Sequence, residues 1–127
     1  MSDLAELLAP PSDATVAGAV AAYGKAVADA YGPRLTGLYL FGSRARGDHR
    51  PDSDVDLAVV LTTLDGSAVV EKMKLIDLAF DALTDAGVMI QPWPFTAAQW
   101  DGEEQGGRFA DLLVTARRDA APVVSSP

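Results

Sequence analysis

Two short apolar runs constrain the fold of this chain more than any other feature. They are LTGLYLF, residues 35–41, and VDLAVVL, residues 55–61, and both are shorter than a typical helix. Each is predicted to be a strand buried in a sheet, since apolar residues occupy consecutive positions. Because the polar segment 42–54 joins the two runs, the sequence predicts a cluster of charged residues at the mouth of an apolar sheet.

Two amphipathic helices are predicted from apolar spacing and from the residues at their ends. Ser12 and Asp13 follow two prolines and form an N-cap signal for a first helix that continues to Tyr31. A turn at residues 65–66 precedes a second helical pattern. The apolar spacing of that pattern predicts one long helix that ends at Gly87.

The C-terminal third is predicted to add a strand and a helix. VMIQPWPF, residues 88–95, forms a third strand, which its two prolines restrict to a sheet edge or a strand end. A last helix runs from about Gly107 to Ala116, and Val124 then joins an edge strand or frays with the terminus. The order helix, strand, strand, helix, strand, helix predicts an α/β or α+β domain with a small mixed sheet flanked by helices.

Length and composition limit the domain count and the chemistry. The chain has 127 residues, 49% of them hydrophobic, so we expect one domain over residues 1–127 with flexible ends at 1–12 and 121–127. The absence of Cys excludes disulfides, thiol nucleophiles and thiolate metal sites. A bound metal would therefore need oxygen ligands or the single imidazole of His49, which leaves Mg²⁺ as a candidate.

The charge distribution argues against some partners and allows others. A formal charge of −8 disfavours broad binding to nucleic acids or anionic membranes. Residues 34–61 nevertheless hold four Arg and four Asp, so a local basic site is allowed. Asp3 and Glu6 stand where a signal peptide carries positive charge, and no apolar run is long enough to span a membrane, so we expect a cytoplasmic protein.

An aspartate pair opens the second predicted strand. Side chains alternate along a strand, so Asp54 and Asp56 share one face with Cα atoms roughly 6–7 Å apart. Two carboxylates at this distance repel each other, and a divalent cation between them removes the repulsion. Because Mg²⁺ favours one or two carboxylates together with substrate phosphates, the pair predicts a magnesium site.

A glycine and a serine end the first predicted strand. Gly42 allows backbone to approach a ligand closely, and the Ser43 hydroxyl with neighbouring N–H groups suits phosphate oxygens. Arg44 and Arg46 can add positive charge against a triphosphate. Alone, Gly-Ser is more often an ordinary turn and Asp-x-Asp a solvated strand end. Together, between two strands, they favour a nucleotide site.

The spacing of these residues resembles a known family. Gly42-Ser43, then the ten residues 44–53, then Asp54-Val55-Asp56 is similar to the signature of the minimal nucleotidyltransferases (MNT type) of the DNA polymerase β superfamily. The resemblance implies a polymerase-β-like fold, with Ser43 on the triphosphate and Asp54 and Asp56 on two Mg²⁺ ions. It also implies transfer of a nucleoside monophosphate to an acceptor hydroxyl or phosphate with release of pyrophosphate, and we expect AMP from ATP.

The sequence departs from the family at the third carboxylate. Active members carry it on a later strand, and Gln91 occupies the corresponding place here. An amide is neither a base nor a negative charge. No Asp or Glu lies between Val88 and Trp100 that could replace it. This leaves a second hypothesis open, in which the chain is a catalytically weakened module that binds nucleotide or a partner.

The small size also bears on the acceptor. In the family, short chains often work with a helical partner of the HEPN type, where the transferase is an antitoxin that attaches AMP to the toxin. A third reading is transfer to a small molecule such as an aminoglycoside. Enzymes of that type carry an additional acceptor domain, for which 127 residues leave no room unless a homodimer supplies it.

Other notable residues are given structural roles. Trp93 and Trp100 are predicted to belong to the core or to an interface, with stacking on a nucleobase as the alternative. Asp77, Asp81 and Asp85 recur at a spacing of four and are predicted to form an exposed acidic face of the second helix.

Overall fold

The computed structural model describes residues 9–105 and 107–123, and within them it confirms a mixed α+β domain. In chain order the elements are α1 (Asp13–Tyr31), a 3₁₀ helix (Gly32–Arg34), β1 (Leu35–Phe41), α2 (Ser43–Arg46), β2 (Val55–Leu61), α3 (Ala68–Leu78), α4 (Phe80–Ala86), β3 (Ile90–Thr96), α5 (Ala97–Trp100), α6 (Ala110–Asp119) and β4 (Ala121–Pro122). The first two predicted strands, 35–41 and 55–61, coincide with β1 and β2.

The four strands form one mixed sheet in the order β3-β2-β1-β4. Strand β1 is antiparallel to β2 and to β4, whereas β2 and β3 are parallel and are connected through α3 and α4. The C-terminal end of β1 therefore meets the N-terminal ends of β2 and β3 at one edge of the sheet. Every residue of the predicted nucleotide site lies at or near that edge.

Helices cover both faces of the sheet. On one face α1, α3 and α4 pack on the side chains of β2 that include Leu57 and Val59, and the Tyr23 hydroxyl donates to the carbonyl of Leu75 over 2.9 Å. On the other face α5 and α6 pack on a smaller aromatic-rich cluster with the buried members Phe41, Ala58, Phe95, Leu113 and Ala116. Strand β2 is thus buried on both sides, as its continuous apolar sequence predicts.

A buried carboxylate connects α3 to the segment after α1. Glu71 has no exposed surface and accepts hydrogen bonds from Arg34 (2.9 Å), the Tyr31 hydroxyl (2.8 Å) and the backbone N–H of Asp65 (2.8 Å). Burial alone would raise the pKa of Glu71, but these donors outweigh it and hold the pKa below its usual value. The group is fully paired and lies away from the sheet edge described above.

The single long helix predicted for residues 67–87 is wrong, because the structure divides it at Ala79. Helix α3 packs against β3 and α4 packs against α1, so the two halves follow different surfaces. At the break the N–H of Ala79 bonds to the carbonyl of Ile76, three residues back, over 2.9 Å. A tighter turn of this kind does not change the spacing of the apolar residues, so the sequence pattern does not reveal it.

The C-terminal elements also differ from their predicted bounds. Helix α6 begins at Ala110, since the N–H of that residue still bonds to Gly107 in the preceding turn, and it ends at Asp119. Strand β3 begins at Ile90, two residues later than predicted. Ala121 pairs with β1 and is therefore not a free end, whereas Val124 lies outside the described residues. Within residues 9–105 and 107–123, no helix combines the length and apolar character needed to cross a membrane.

Candidate active site

Three strand ends bring the predicted site residues together. Phe41, the residue before Gly42, pairs with Asp56 across β1 and β2, and Asp56 in turn pairs with Gln91 across β2 and β3. Paired positions in neighbouring strands project to the same face of a sheet. The Gly-Ser turn, the Asp pair and the glutamine therefore share one edge and one face.

The Gly42-Ser43 turn lies directly against the carboxylate of Asp56. Gly42 has φ +78°, a left-handed conformation that favours glycine, and a Cβ built on it would be 2.7 Å from Oδ2 of Asp56. Ser43 begins the short helix α2, and its carbonyl accepts from the N–H of Gly47 (2.9 Å) and of Asp48 (3.1 Å). The tight turn that follows thus orders Ser43, which comes directly after the glycine that contacts Asp56.

The two aspartates have different surroundings. Asp54 is exposed, while Asp56 is half-buried. Burial raises the pKa of Asp56, and the charge of Asp54 raises it further; the Trp93 indole N–H, Lys72 and Arg46 act in the opposite direction without reversing the shift. Ionised Asp56 is therefore under electrostatic strain that an added cation would relieve.

The two carboxylates fit a cation that takes its remaining ligands from water and a nucleotide. In the described part of the chain, no group of three or more His, Cys, Asp or Glu side chains is arranged to hold a metal. Two carboxylates remain, at Asp54 and Asp56, and Mg²⁺ characteristically takes one or two carboxylates and completes its shell with water and substrate phosphates. The pair is chemically suited to Mg²⁺ bound together with a nucleotide rather than to a metal held by protein alone.

Gln91 occupies the position next to Asp56 on the neighbouring strand. The two residues are in register in the parallel pairing of β2 and β3, and Gln91 is partly buried. Its amide can offer a carbonyl oxygen to a cation but no negative charge. Its part in metal or nucleotide binding stays a prediction.

Arg44 forms hydrogen bonds with the loop between α2 and β2. Only 5% of its side chain is exposed, and the guanidinium donates to the carbonyls of Ser53 (Nε, 3.0 Å) and Pro51 (Nη2, 3.1 Å) and lies 3.7 Å from Asp13. These bonds hold the residues that lead into Asp54. The predicted contact of Arg44 with a nucleotide stays a prediction, and the donors named here already have partners.

Arg46 is oriented by two carboxylates. It forms ion pairs with Asp48 (3.2 Å) and with Asp119 at the end of α6 (2.8 Å), whose side chain is only 5% exposed. Hydrogen bonds from Arg46 to these two carboxylates raise the pKa of the guanidinium. The positive charge of Arg46 also lowers the pKa of Asp56. The role of Arg46 in nucleotide binding stays a prediction.

Lys72 and Trp93 are neighbours of Asp56 that sequence reasoning did not assign to the site. The ammonium of Lys72 lies 3.5 Å from the centre of a Trp93 ring and donates to the carbonyl of Pro92 over 2.6 Å. Burial lowers the pKa of Lys72, and the charge of Asp56 partly offsets this effect. An isolated lysine in an amphipathic helix carries no sequence signal for such a position, which only the tertiary fold defines.

The two tryptophans pack in the second core, as the core interpretation predicts. Trp93 meets Phe109 edge-on with ring centres 5.3 Å apart, and Trp100 stacks on Tyr39 at 4.7 Å. The Trp93 Nε1 is buried and has no hydrogen-bond partner of good geometry among the described residues. Its N–H nevertheless faces Asp56 closely enough to favour the charged carboxylate.

A cleft opens beside Asp54 on the side of α1 and α4. Its volume is about 930 Å³. The lining includes Thr15 of α1, Arg44 of α2, Asp52 and Asp54 of the loop before β2, Leu83 of α4 and Met89 of the segment before β3. The exposed aspartate of the pair therefore borders a space large enough for a small-molecule group or a partner side chain.

Solved structures resemble the fold at low sequence identity. A candidate nucleotidyltransferase from Sulfolobus solfataricus matches with a TM-score of 0.54 and 23% identity over 68% of this chain and 72% of its own. A mutant form of the toxin–antitoxin MntA-HpeT gives 0.50 and 19% over 80% and 69%, respectively. A toxin–antitoxin crystallised with AMP-PNP gives 0.51 and 20% over 87% and 73%. At these identities the matches establish a shared fold.

The sequence itself matches a family. No curated protein is similar enough to count as a relative. The profile of the nucleotidyltransferase domain matches residues 24–96, which is more than half of the chain and includes Gly42, Ser43, Asp54, Asp56 and Gln91. This chain therefore belongs to the nucleotidyltransferase domain family, a family of transferase enzymes.

Proposed function

We propose that this chain transfers AMP from ATP to an acceptor hydroxyl and that the reaction needs Mg²⁺. The observation that carries the proposal is the contact of Gly42 with Asp56, by which the Gly-Ser turn meets one carboxylate of the aspartate pair. This is the arrangement that a triphosphate bound jointly by backbone, hydroxyl and a carboxylate-bound cation requires. A fold relative crystallised with AMP-PNP supports an adenine nucleotide as the ligand.

The roles of the side chains follow from their positions. Asp54 and Asp56 would hold Mg²⁺, which when bound neutralises phosphate charge and orients the transferred group. Ser43 and the backbone after Gly42 would bind phosphate oxygens, with Arg46 adding positive charge. Arg44 keeps Asp54 in place by bracing the loop before it.

The bond changes are those of an in-line displacement at the α-phosphorus. The acceptor oxygen forms a new bond to that atom, the bond to the bridging oxygen of the β-phosphate breaks, and pyrophosphate leaves with the electron pair. Because Gln91 offers an amide at the place of a carboxylate base, the proton of the acceptor hydroxyl passes to water. We expect turnover to be slow for this reason.

We further propose that the acceptor is a helical partner protein of the HEPN type. Two of the fold relatives are toxin–antitoxin structures, which supports a role as an antitoxin that modifies its toxin. The described chain devotes its helices to covering the sheet and has no separate acceptor domain within residues 9–105 and 107–123. Since the described residues form no acceptor domain, we propose that another chain supplies the acceptor.

One observation favours a second candidate function. Gln91 lies in register with Asp56, where a carboxylate would complete the site, so the chain can be a module that binds nucleotide or partner with little or no turnover. The two functions differ in their products. Only the transferase leaves a labelled acceptor and free pyrophosphate.

The test uses ATP labelled at either its α- or its γ-phosphate, incubated with Mg²⁺, the full chain and a candidate HEPN-type protein. The transferase proposal expects α-label on the acceptor, no γ-label, and loss of labelling in Asp56→Asn. Asp101→Asn, which removes an exposed carboxylate after α5, is the matched control and should label normally. Absence of label with all four nucleotides, while MgATP still binds, would instead support the binding module.

A further inference from the structure

An apolar stripe runs along the outer side of α3 and α4. Its members recur at alternating spacings of four and three residues, which places those in α3 on one side of α3 and those in α4 on one side of α4. Their exposed fractions lie between 39% and 62%, although all are large hydrophobic residues. They are Val69, Met73, Ile76, Phe80 and Leu83, and together they are called the α3–α4 stripe.

The stripe does not serve the core of the described fold. The inner side of the same helices is buried through other residues, including Leu75 and Ala79. Ala79, at the division between α3 and α4, keeps right-handed helical dihedrals, so no loop interrupts the outer surface. Apolar residues at alternating three- and four-residue spacing are the pattern with which one helix packs on another.

Acidic side chains border the stripe. Asp77, Asp81 and Asp85 are exposed and follow one another at intervals of one helical turn, as the sequence predicts. The nearby cation Lys74 is already paired with Asp65 over 3.0 Å. A second copy of this chain, which carries a net charge of −8, would add like charges along the same border. A basic partner would instead neutralise the negative charge of this border.

The stripe also reaches the cleft that borders Asp54. Leu83, its last member, lines the cleft beside Asp54, and so does Met89, which is likewise exposed. A helix lying on the stripe would therefore have one end at the cleft. Docking and acceptor delivery can then be a single event.

We propose that the α3–α4 stripe binds an amphipathic helix of the acceptor protein, one with an apolar seam flanked by Lys or Arg. The inference rests on the proposed function in that the docked helix belongs to the acceptor. Apolar contacts along the stripe supply affinity, and the acidic border selects basic over acidic helices. The two methionines, Met73 in the stripe and Met89 at the cleft, can adapt to the side chains of the partner.

The test uses fluorescent helical peptides of about three heptads as probes. The first has a Leu seam with Lys flanks, the second a Leu seam with Glu flanks, and the third a Ser seam with Lys flanks. Fluorescence anisotropy measures their binding to the full chain and to the triple variant Met73→Ser/Ile76→Ser/Phe80→Ser. Val114→Ser is the matched control, because Val114 is 69% exposed on α6, away from the stripe.

The proposal expects the Leu–Lys peptide to bind at least about ten times more tightly than the other two, and the triple variant to lose at least about tenfold in affinity. Val114→Ser should bind like the unmodified chain. A second variant, Asp77→Lys/Asp81→Lys, should prefer the Leu–Glu peptide. Circular dichroism of each variant checks that the fold is intact.

Three results would overturn the proposal: no Leu–Lys binding, equal binding of the Leu–Lys and Leu–Glu peptides, or a dimer of the unmodified chain in sedimentation that the triple variant abolishes. Failure of the proposed function gives a different result. Asp56→Asn should still bind the Leu–Lys peptide while losing MgATP, whereas the triple variant should still bind MgATP.

Discussion

Gly42 and Asp56 are packed so closely that no side chain fits between them: a Cβ on Gly42 would lie 2.7 Å from Oδ2 of the aspartate. The same glycine has φ +78°, which L-residues other than glycine rarely adopt. The geometry of the candidate site therefore requires glycine at position 42. The contact joins the end of β1 to the start of β2, the two elements that carry the motif.

Gly42→Ala should damage both the fold and the site. Backbone strain and the clash with Asp56 together should lower the free energy of unfolding by about 1–3 kcal/mol, and MgATP affinity should fall at least tenfold. Gly18→Ala is the control, because Gly18 lies within α1 with open space around it. This substitution should raise the free energy of unfolding by about 0.5–1 kcal/mol. Urea unfolding and calorimetric titration measure the two effects. An unchanged MgATP affinity would argue against the turn as a phosphate site.

Asp56→Asn should stabilise the metal-free protein at neutral pH. Burial and Asp54 raise the pKa of Asp56 in the folded chain, so the stability that this group contributes at low pH is lost as the pH rises through its folded pKa. The variant should melt about 1–4 °C above the unmodified chain at pH 7, with the difference shrinking towards pH 4. Differential scanning calorimetry in EDTA measures this.

Asp101→Asn removes one negative charge at an exposed position and is the control, and it should melt like the unmodified chain at pH 7. Added Mg²⁺ with ATP should raise the melting temperature of the unmodified chain but not that of Asp56→Asn. If Asp56→Asn melted below the unmodified chain at pH 7, ionised Asp56 would not be strained in the fold.

Gln91→Asp should restore the third carboxylate. Because residue 91 is in register with Asp56, the new charge should increase Mg²⁺ affinity by at least about tenfold and raise the rate of AMP transfer. Without metal it should lower the melting temperature, since three carboxylates then repel one another. Gln91→Asn keeps an amide at this position, so it should raise neither the Mg²⁺ affinity nor the rate of AMP transfer. Tighter Mg²⁺ binding without any gain in turnover would favour the binding module.

Arg44→Ala should loosen the loop that leads into Asp54. Two carbonyls, of Ser53 and Pro51, lose their donors, which should reduce the free energy of unfolding by about 1–3 kcal/mol. Faster hydrogen exchange at the N–H of Ser53, which bonds to the carbonyl of Arg50 over 3.0 Å, should accompany the loss. Arg50→Ala removes an exposed guanidinium of the same loop and is the control. Equal exchange in both variants would show that Arg44 does not brace the loop.

The sheet and the motif could be read from the sequence because their signals are local. Residues 35–41 and 55–61 are short apolar runs, and β1 and β2 coincide with them. The alternation of side chains along a strand is equally local, and it places Asp54 and Asp56 together without any knowledge of the fold. The family resemblance predicts that Gln91 takes the place of the third carboxylate. In the sheet, residue 91 is the partner of Asp56 on the neighbouring strand.

Features set by tertiary packing could not be read in the same way. The division at Ala79 arises because α3 and α4 pack on different surfaces. Lys72 enters the surroundings of Asp56 by reaching the Trp93 ring, which lies on another element. The charge of Arg44 and its place in the motif predict a phosphate contact, which stays a prediction. No sequence pattern reveals the hydrogen bonds that its guanidinium donates to the loop carbonyls.

The most direct test of the central claim, that Asp54 and Asp56 bind a nucleotide together with Mg²⁺ beside Gly42-Ser43, is isothermal titration of ATP into the full chain with and without Mg²⁺. We expect binding only when Mg²⁺ is present, with affinity reduced at least tenfold in both Asp54→Asn and Asp56→Asn and unchanged in Asp101→Asn. Binding of ATP that is the same in both aspartate variants, or no binding to the folded unmodified chain, would contradict the claim.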